Sequence, residues 1–380
     1  MITLGALEAN TGTEAERKTT PAARETTPGA RDTIPAASET TPAARVSPLL
    51  PPAAPASAPA WQAALRDAVR DVAELARLLE LPAEALAGAA GEHAFSLLVP
   101  RGFVARMRKG ALDDPLLRQV LPAAAEWQPA DGYTDDPLGE QLIAAEGVLQ
   151  KYAGRALLIA SGACPVHCRY CFRRAFPYQA QLAARADWTG ALAMLRASPD
   201  VEEVILSGGD PLSLSNRRLA ALVAALEDIR SVRRLRIHTR FPIMLPERVD
   251  AELCALLAAT RLQTVVVVHA NHAREIDAAV EQALRALERN ADLLLNQSVL
   301  LQGVNDSVER LAELSERLFA CGALPYYLHL LDRVAGAAHF DVDDSAGRAI
   351  VAGLRARLPG YLVPRLVREI AGDLSKSPVV

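Results

Sequence analysis

Three cysteines stand close together near the middle of the chain, at Cys164, Cys168 and Cys171. Three thiolates with this C-x3-C-x2-C spacing can converge on one face of a cubic iron–sulfur cluster, leaving the fourth iron open to a substrate or cofactor. A structural zinc ion is the alternative, because zinc prefers four closed ligands and His167 could supply the fourth. The spacing predicts a metal centre but does not exclude zinc, and the position of the cysteines directly after the apolar run at 156–160, the first predicted strand, favours the cluster.

A second candidate segment is Ser207-Gly208-Gly209-Asp210, which follows an apolar run at 201–207. Two glycines after a strand usually indicate only a turn. Downstream of three clustered cysteines, however, they become a candidate cofactor-binding loop. Taken alone, Arg173 and Lys376 would be read as charges at the surface.

These residues are embedded in a repeating pattern of short apolar runs and amphipathic helices. The runs span residues 156–160, 201–207, 235–238, 264–270, 293–301 and 325–331. Buried runs without clean polar alternation, separated by helices, indicate a parallel sheet covered by helices. Counting gives about six βα units, short of the eight in a closed barrel. The sequence predicts an α/β fold, a partial (βα)6 barrel whose site lies at the carboxyl edge of the strands.

The chain before residue 151 has a different character. Residues 1–60 contain no aromatic residue and carry nine of the 25 prolines, several of them in a degenerate seven-residue repeat. Proline in every repeat opposes a helix, so we expect a disordered tail rich in Pro, Ala and Thr. Residues 61–150 are predicted to form a helical cap, beginning with one helix over 61–81 that ends at Pro82. The barrel is then assigned to 151–365.

Composition excludes several classes of protein. There are 41 basic and 45 acidic residues, a formal net charge of −4, so no overall basic field favours nucleic acid or an anionic membrane. No apolar run reaches the ~18–20 residues that span a bilayer, and the first residues lack the order of a secretory signal. Five cysteines are too few for a disulfide scaffold. We expect a cytoplasmic protein without a nucleic-acid or membrane partner.

The cysteine spacing resembles that of the radical S-adenosylmethionine superfamily, and longer segments are similar to its lysine 2,3-aminomutase family. These segments are CRYCFRRAFPY, LSGGDPL, HTRFPIMLPERV, HANHARE, LLNQSVLLQGVND, PYYLHLLDRVAGAAHF and GYLVPRLVREIAGDLSKSP. The match runs from about residue 95 to the C-terminus. It implies an isomerase that converts L-lysine to (R)-β-lysine on a barrel of the radical SAM type. It also implies three cofactors: a [4Fe–4S] cluster, S-adenosyl-L-methionine and pyridoxal 5′-phosphate.

The resemblance assigns cofactor roles residue by residue. Cys164, Cys168 and Cys171 match the cluster ligands, and Lys376, within a C-terminal segment at 366–380, matches the lysine that binds pyridoxal phosphate covalently. The other matching positions are Arg155 for the pyridoxal phosphate group, Tyr170 near the adenine, Ser207, Gly208, Gly209 and Asp210 at the methionine amino group, and His269 and Gln297 around the adenosyl cofactor.

The resemblance also assigns both ends of the substrate. Arg173 matches the guanidinium that binds the substrate carboxylate, a contact for which a planar fork is suited. Asp332 matches an acid that pairs with the lysine ε-ammonium. Glu369, seven residues before Lys376, stands where the aminomutases of lysine catabolism carry aspartate. We therefore expect Arg173 and Asp332 to hold L-lysine, with Glu369 assisting at the ammonium end.

Within the family, the segments are most similar to the branch whose β-lysine modifies elongation factor P. That similarity implies a separate ligase that acts on elongation factor P and an external electron donor such as flavodoxin. Ser307 follows Asp306 where the catabolic enzymes carry a zinc-binding cysteine, and only four residues follow Lys376. We expect no such zinc site and assume no family tetramer, while a homo-oligomer stays open.

Two other functions compete with this hypothesis. One is an aminomutase that makes free β-lysine for catabolism or osmoprotection, which Glu369 and Ser307 disfavour. The other, from a different class, is a non-catalytic metal-binding interaction protein that uses its proline-rich tail as bait. The complete set of cysteines, together with Arg173, Asp332 and Lys376, disfavours the second.

The composition of the N-terminal segment gives a first testable prediction. Deleting residues 1–59 should leave the rate of lysine turnover and the melting temperature nearly unchanged, because so few apolar residues cannot form a core. Activity assays and thermal melts of the full and shortened chains make the comparison. A large loss of soluble yield or activity would show that the repeats pack on the rest of the protein.

Overall fold

The computed structural model describes residues 59–82, 95–140, 147–178 and 187–380. The predicted tail at 1–60 lies outside the described residues, except for its last two positions. Within the described ranges nine strands form one sheet. They are β1 (Val148–Tyr152), β2 (Arg155–Ser161), β3 (Glu203–Gly208), β4 (Arg234–Thr239), β5 (Gln263–Val268), β6 (Leu293–Val299), β7 (Leu324–His329), β8 (Arg365–Arg368) and β9 (Ser377–Pro378).

The order of the strands in the sheet follows their order in the chain. Strands β2 to β8 are parallel to their neighbours, whereas β1 pairs antiparallel with β2 and β9 pairs antiparallel with β8. Each strand from β2 to β7 is followed by at least one helix, so the prediction of an α/β fold with six βα units is confirmed. The sequence did not predict β1, β8 or β9.

The described ranges also contain helices of four or more residues. They are α1 (Ala60–Arg66), α2 (Val72–Leu78), α3 (Arg101–Val104), α4 (Pro115–Arg118), α5 (Thr189–Arg196), α6 (Asn216–Glu227), α7 (Phe241–Met244), α8 (Ala251–Ala259), α9 (Ala278–Asn290), α10 (Val308–Ala320) and α11 (Asp344–Arg357).

Capping residues fix where the main helices begin. Before α6, α8, α9, α10 and α11, the side chains of Ser215, Asp250, Asp277, Ser307 and Asp343 each accept a hydrogen bond from the backbone amide three residues later. Such caps satisfy amide groups that a helix leaves unpaired at its start. The apolar faces of these helices pack against the sheet and cover it. Every residue of β3 is buried.

The region before the sheet differs from its prediction. Instead of one helix over 61–81, the structure has α1 and α2 with a break between them. At the break Val69 pairs with Val99 through two backbone hydrogen bonds of 2.8 and 2.9 Å, which uses groups that a continuous helix would need. Trp61 packs edge-on against Phe241 with ring centroids 5.5 Å apart, joining this region to the end of β4.

The described residues from 59 onward belong to one compact unit. The boundaries at 150/151 and 365/366 therefore stay predictions. Across the described ranges, no helix combines the length and the apolar character that crossing a membrane requires.

Candidate active site

One cavity along a face of the sheet brings together all the residues to which the resemblance assigns a cofactor or the substrate. Its wall includes alternate strand residues, such as Leu157, Ile205 and Arg236, and the loops that follow the strands. The candidates in the wall are Arg155, Cys164, Cys168, Tyr170, Cys171, Arg173, Ser207, Gly208, Gly209, Asp210, His269, Gln297, Asp332, Glu369 and Lys376. Residues far apart in the chain thus converge where parallel sheets usually form their sites.

The three cysteines lie in the loop after β2. Backbone hydrogen bonds tie this loop to Asp210 after β3 (2.8 Å) and to Leu98 and Gln119 of the N-terminal region (3.0 and 2.9 Å). Burial raises the pKa of the Cys171 thiol to about 11 and also raises the pKa of Cys164. Half-buried thiols on an anchored loop fit a metal centre, because a bound metal takes the place of the thiol protons.

The arrangement of these thiols bears on the choice between cluster and zinc. Within the part of the chain that the structure describes, no three His, Cys, Asp or Glu side chains form a group that could hold a metal ion. The Nδ1 atom of His167 lies 2.8 Å from the Ser96 carbonyl, and its ring stacks on Phe95 with centroids 4.8 Å apart. All the ligands of a zinc ion lie within about 2.3 Å of that one ion, whereas each cysteine of a cubic cluster binds a different iron. The three cysteines line the cavity, whereas His167, engaged with Ser96 and Phe95, is not part of its wall.

Arg240, to which the sequence assigned no role, connects the cysteine loop with the residues behind it. Its Nη1 donates to Cys168 Sγ at 2.7 Å and to the Tyr170 hydroxyl, and its Nη2 donates to Gln119 Oε1 at 2.8 Å. The Tyr170 ring stacks on His269 with centroids 5.9 Å apart. Arg240 stands directly after β4, at the sheet edge where the other candidates lie. That position is the signal that could have identified Arg240 from the sequence.

Gly208 and Gly209 allow the loops after β2 and β3 to approach closely. Gly208 has a φ of +111°, and a Cβ atom there would lie 2.5 Å from the Ser161 carbonyl oxygen. A Cβ atom on Gly209 would lie 2.6 Å from the carbonyl oxygen of Ala163. Glycine is therefore required at both positions for backbone packing, whatever these residues bind.

The Asp210 carboxylate joins the ends of β3 and β4. It accepts hydrogen bonds from the amide of Leu212 (3.0 Å), the hydroxyl of Thr239 (2.8 Å) and the amide of Arg240 (2.6 Å). Burial raises the pKa of Asp210 to about 6 despite these donors. The side chain is thus occupied by the protein itself, and the expected contact of Asp210 with a cofactor stays a prediction.

Lys376 lies at the β8–β9 hairpin, opposite Glu369. Its Nζ is 2.5 Å from Glu369 Oε2 and 6.0 Å from the centre of the Tyr327 ring. The two paired side chains are only 19% and 15% exposed. Burial and the neighbouring Glu369 carboxylate raise the pKa of Tyr152 above its usual range. The sequence placed Glu369 at the far end of a bound lysine, whereas the structure pairs it with Lys376.

Arg173 is held by a carboxylate that the sequence did not identify. Its Nε and Nη2 donate to the two oxygens of Glu140 at 2.6 and 3.0 Å, and its Nη1 donates to Ser207 Oγ at 2.9 Å and to the Gly208 carbonyl at 3.1 Å. The side chains of Arg173 and Glu140 are 6% and 4% exposed. A single glutamate 33 residues before Arg173 carries no sequence signal for such a pair.

Two histidines in the cavity wall, His238 in β4 and His329 in β7, were also missed. Burial lowers the pKa of both well below the usual range, so both rings are neutral near pH 7. The Nε2 atom of each is buried and has no hydrogen-bond partner among the described residues. Unsatisfied buried nitrogens in a cavity wall are groups that a bound molecule can complete. Both residues lie within runs that the sequence predicts as strands, at or next to the end of the observed strand, so their position was available as a signal.

Comparison with known proteins gives consistent matches. Residues 158–315 match the family model of the Radical SAM superfamily. The chain is 49% identical to the L-lysine 2,3-aminomutase of Escherichia coli strain K12 over 82% of this chain and 92% of that protein. It is 46% identical to the L-lysine 2,3-aminomutase of Haemophilus influenzae over 82% and 93%. Among solved structures, a radical SAM methyltransferase from Sphaerobacter thermophilus matches with a TM-score of 0.43 and 17% identity over 58% of this chain and 68% of that chain.

The close approach at Gly209 gives a second prediction. Gly209→Ala should displace the backbone at Ala163, where the cysteine loop begins, and lower the free energy of unfolding by about 1–3 kcal/mol. Iron uptake during anaerobic reconstitution should fall as well, since the loop that carries the thiols moves. Urea unfolding and iron analysis measure the two effects.

The matched control is Gly360→Ala. Nothing lies within 4 Å of a Cβ atom at Gly360, so this variant should keep both stability and iron uptake. Equal behaviour of the two variants would show that the loops after β2 and β3 do not need to touch.

Proposed function

We propose, from the premise that the chain belongs to the L-lysine 2,3-aminomutase family of the radical SAM superfamily, that it converts L-lysine to (R)-β-lysine. One observation carries the proposal. Three cysteine thiols, a lysine and a buried arginine from separate parts of the chain lie in the wall of the same cavity. A reaction that needs a metal cluster, a carbonyl cofactor and an amino acid together requires this convergence.

The residues of the cavity fit the three cofactors of this family. Cys164, Cys168 and Cys171 would hold the cluster, while Lys376 would bind pyridoxal phosphate, with the unpartnered nitrogens of His238 and His329 available to it. Arg155, Tyr170, His269, Gln297 and the Ser207–Asp210 segment stay proposals for the remaining contacts. When bound, the cluster and S-adenosylmethionine supply a primary carbon radical, and pyridoxal phosphate carries the migrating nitrogen.

The protein's own work is to hold L-lysine and exclude water. We place the substrate carboxylate at Arg173 and the ε-ammonium at Asp332, so that charges fix both ends of a flexible chain and hold its Cβ in one place. Glu369 lies beside Lys376, which supports a role as the counter-ion of that amine. Excluding water from the cavity limits side reactions of the reactive intermediates.

The wider role of the product is also a proposal. We infer that the β-lysine passes to a separate ligase that acts on elongation factor P, that a flavodoxin-like protein supplies electrons, and that these steps occur in the cytoplasm. Ser307 supports this branch over the catabolic one, because its hydroxyl caps α10 by accepting from the Arg310 amide (3.3 Å) where the catabolic enzymes carry a zinc-binding cysteine. Whether copies of the chain associate stays open.

Product analysis tests the proposed reaction. The reconstituted protein, given dithionite, S-adenosylmethionine, pyridoxal phosphate and L-lysine, should form (R)-β-lysine on chiral chromatography. Lys376→Ala should form none and lose the pyridoxal absorbance, yet should still cleave S-adenosylmethionine, since that step needs only the cluster. Cleavage of S-adenosylmethionine without β-lysine, in wild-type protein with a full cofactor content, would point to a different substrate.

A further prediction concerns the ammonium end of the substrate. Asp332→Asn should reduce kcat/KM for lysine by roughly 30- to several-thousand-fold, because losing one partner of a desolvated charge pair costs about 2–5 kcal/mol. Iron and pyridoxal content should stay at wild-type levels. The preference for lysine over norleucine, which lacks the ammonium, should narrow.

The readout is the ratio of β-amino acid formed from lysine and from norleucine in the wild type and the variant. An unchanged ratio would remove Asp332 from the ammonium site and make Glu369 the better candidate.

A further inference from the structure

The proposed lysine site needs Arg173 and Asp332, the residues that hold the two ends of the substrate, at a fixed separation. One short segment of the chain contacts Arg173 and is hydrogen-bonded to the residues that follow Asp332. We propose that Glu140 positions Arg173, and that the segment 134–140 thereby sets the length of the amino acid that the site accepts. This inference rests on the proposed function, because it takes Arg173 and Asp332 as the two ends of the substrate site.

At the carboxylate end, Glu140 determines where the guanidinium of Arg173 lies. Both oxygens of Glu140 accept from Arg173, at 2.6 and 3.0 Å, in a bidentate pair. Together with Ser207 and Gly208, these contacts use four of the five N–H groups that an arginine offers. A buried guanidinium bound in this way cannot turn or shift without breaking several charge-assisted hydrogen bonds.

At the ammonium end, the same segment is bonded to the backbone that follows Asp332. The amide of Thr134 donates to the Arg333 carbonyl at 3.0 Å, and the Thr134 carbonyl accepts from the amide of Ala335 at 2.9 Å. These bonds form a parallel bridge between Thr134 and Val334, and Val334 is fully buried. The position of Asp332 is thus coupled to Thr134 through its immediate neighbours.

Between its two ends the segment has internal contacts that hold its shape. The Glu140 amide donates to Asp136 Oδ1 at 2.9 Å, and the Gly139 amide donates to the Asp136 carbonyl at 3.3 Å. Leu138 is 2% exposed, so its side chain anchors the middle of the segment in the protein. A short segment fixed at both ends and in the middle keeps a constant distance between Arg173 and the backbone that follows Asp332.

Glu140→Asp tests this role without changing the charge of the site. The shorter side chain has one C–C bond less, about 1.5 Å, so keeping the bidentate pair must shift Arg173 relative to Asp332. We expect kcat/KM for lysine to fall by about 10-fold or more, since small displacements of a positioning group reduce rates steeply. Ornithine is one methylene shorter than lysine and homolysine is one methylene longer. The ratios of kcat/KM for ornithine and for homolysine to that for lysine should therefore change in opposite directions.

Glu126→Asp is the matched control. Glu126 is also a buried carboxylate, 3% exposed, and binds Arg169 through two hydrogen bonds of 2.8 and 2.5 Å, but it is not part of the cavity wall. The same shortening there should reduce stability and leave both chain-length ratios unchanged. If Glu140→Asp gives no folded protein, Glu140→Gln replaces it. The amide NH2 of Gln cannot accept the hydrogen bond that the second carboxylate oxygen accepts, so the bidentate pair is lost and the guanidinium must again move.

Arg173→Lys separates failure of this inference from failure of the proposed function. A large rise in KM for lysine in Arg173→Lys, with unchanged chain-length ratios in the Glu140 variant, overturns the positioning role and leaves the proposed site standing. If Arg173→Lys leaves KM unchanged, the carboxylate clamp itself is wrong and the role of Glu140 falls with it. The inference is also overturned if Glu126→Asp shifts the two chain-length ratios in the same way as Glu140→Asp does. Such a result would indicate a general loss of structure.

Discussion

A buried cation is costly unless a carboxylate lies beside it, and four of the five Arg and Lys side chains that the structure describes in the cavity wall have such a partner. The pairs are Arg173–Glu140, Arg236–Glu203, Arg240–Glu275 and Lys376–Glu369. The first three join residues 33 to 35 positions apart in the chain. Each pair therefore fixes a cation and also fastens a loop, a strand or the C-terminal hairpin to the cavity wall.

Close contact between backbones is the second constraint, and it acts between the loops that follow β2 and β3. The loops after β2 and β3 touch through carbonyl groups at Gly208 and Gly209, leaving no space for side chains. The Asp210 carboxylate then extends the contact to the end of β4. As a result, backbone contacts hold the loop that carries the thiols against the loop after β3, in addition to the side-chain pairs.

These two constraints explain which parts of the protein were predictable. The runs that became β2 to β7 are short segments rich in apolar residues and separated by helical patterns, a property that the sequence displays directly. The pairing of Glu140 with Arg173 and of Glu369 with Lys376 is invisible there, since it depends on how distant loops and a two-stranded hairpin meet. The break between α1 and α2 was missed for a similar reason, because the bridge from Val69 to Val99 replaces local helical bonds with tertiary ones.

Two neutral histidines in the cavity wall also affect the electrostatics of the site. His238 and His329 lie near Lys376, and burial together with that cation lowers the pKa of both rings. In an unfolded chain each ring would bind a proton below about pH 6.5, whereas in the folded protein each stays neutral. Protonation therefore favours the unfolded chain, so these residues reduce stability progressively as the pH falls through that value. At neutral pH they add polar atoms without adding charge, which leaves the arginines and Lys376 with their carboxylates to set the field that a charged amino acid meets.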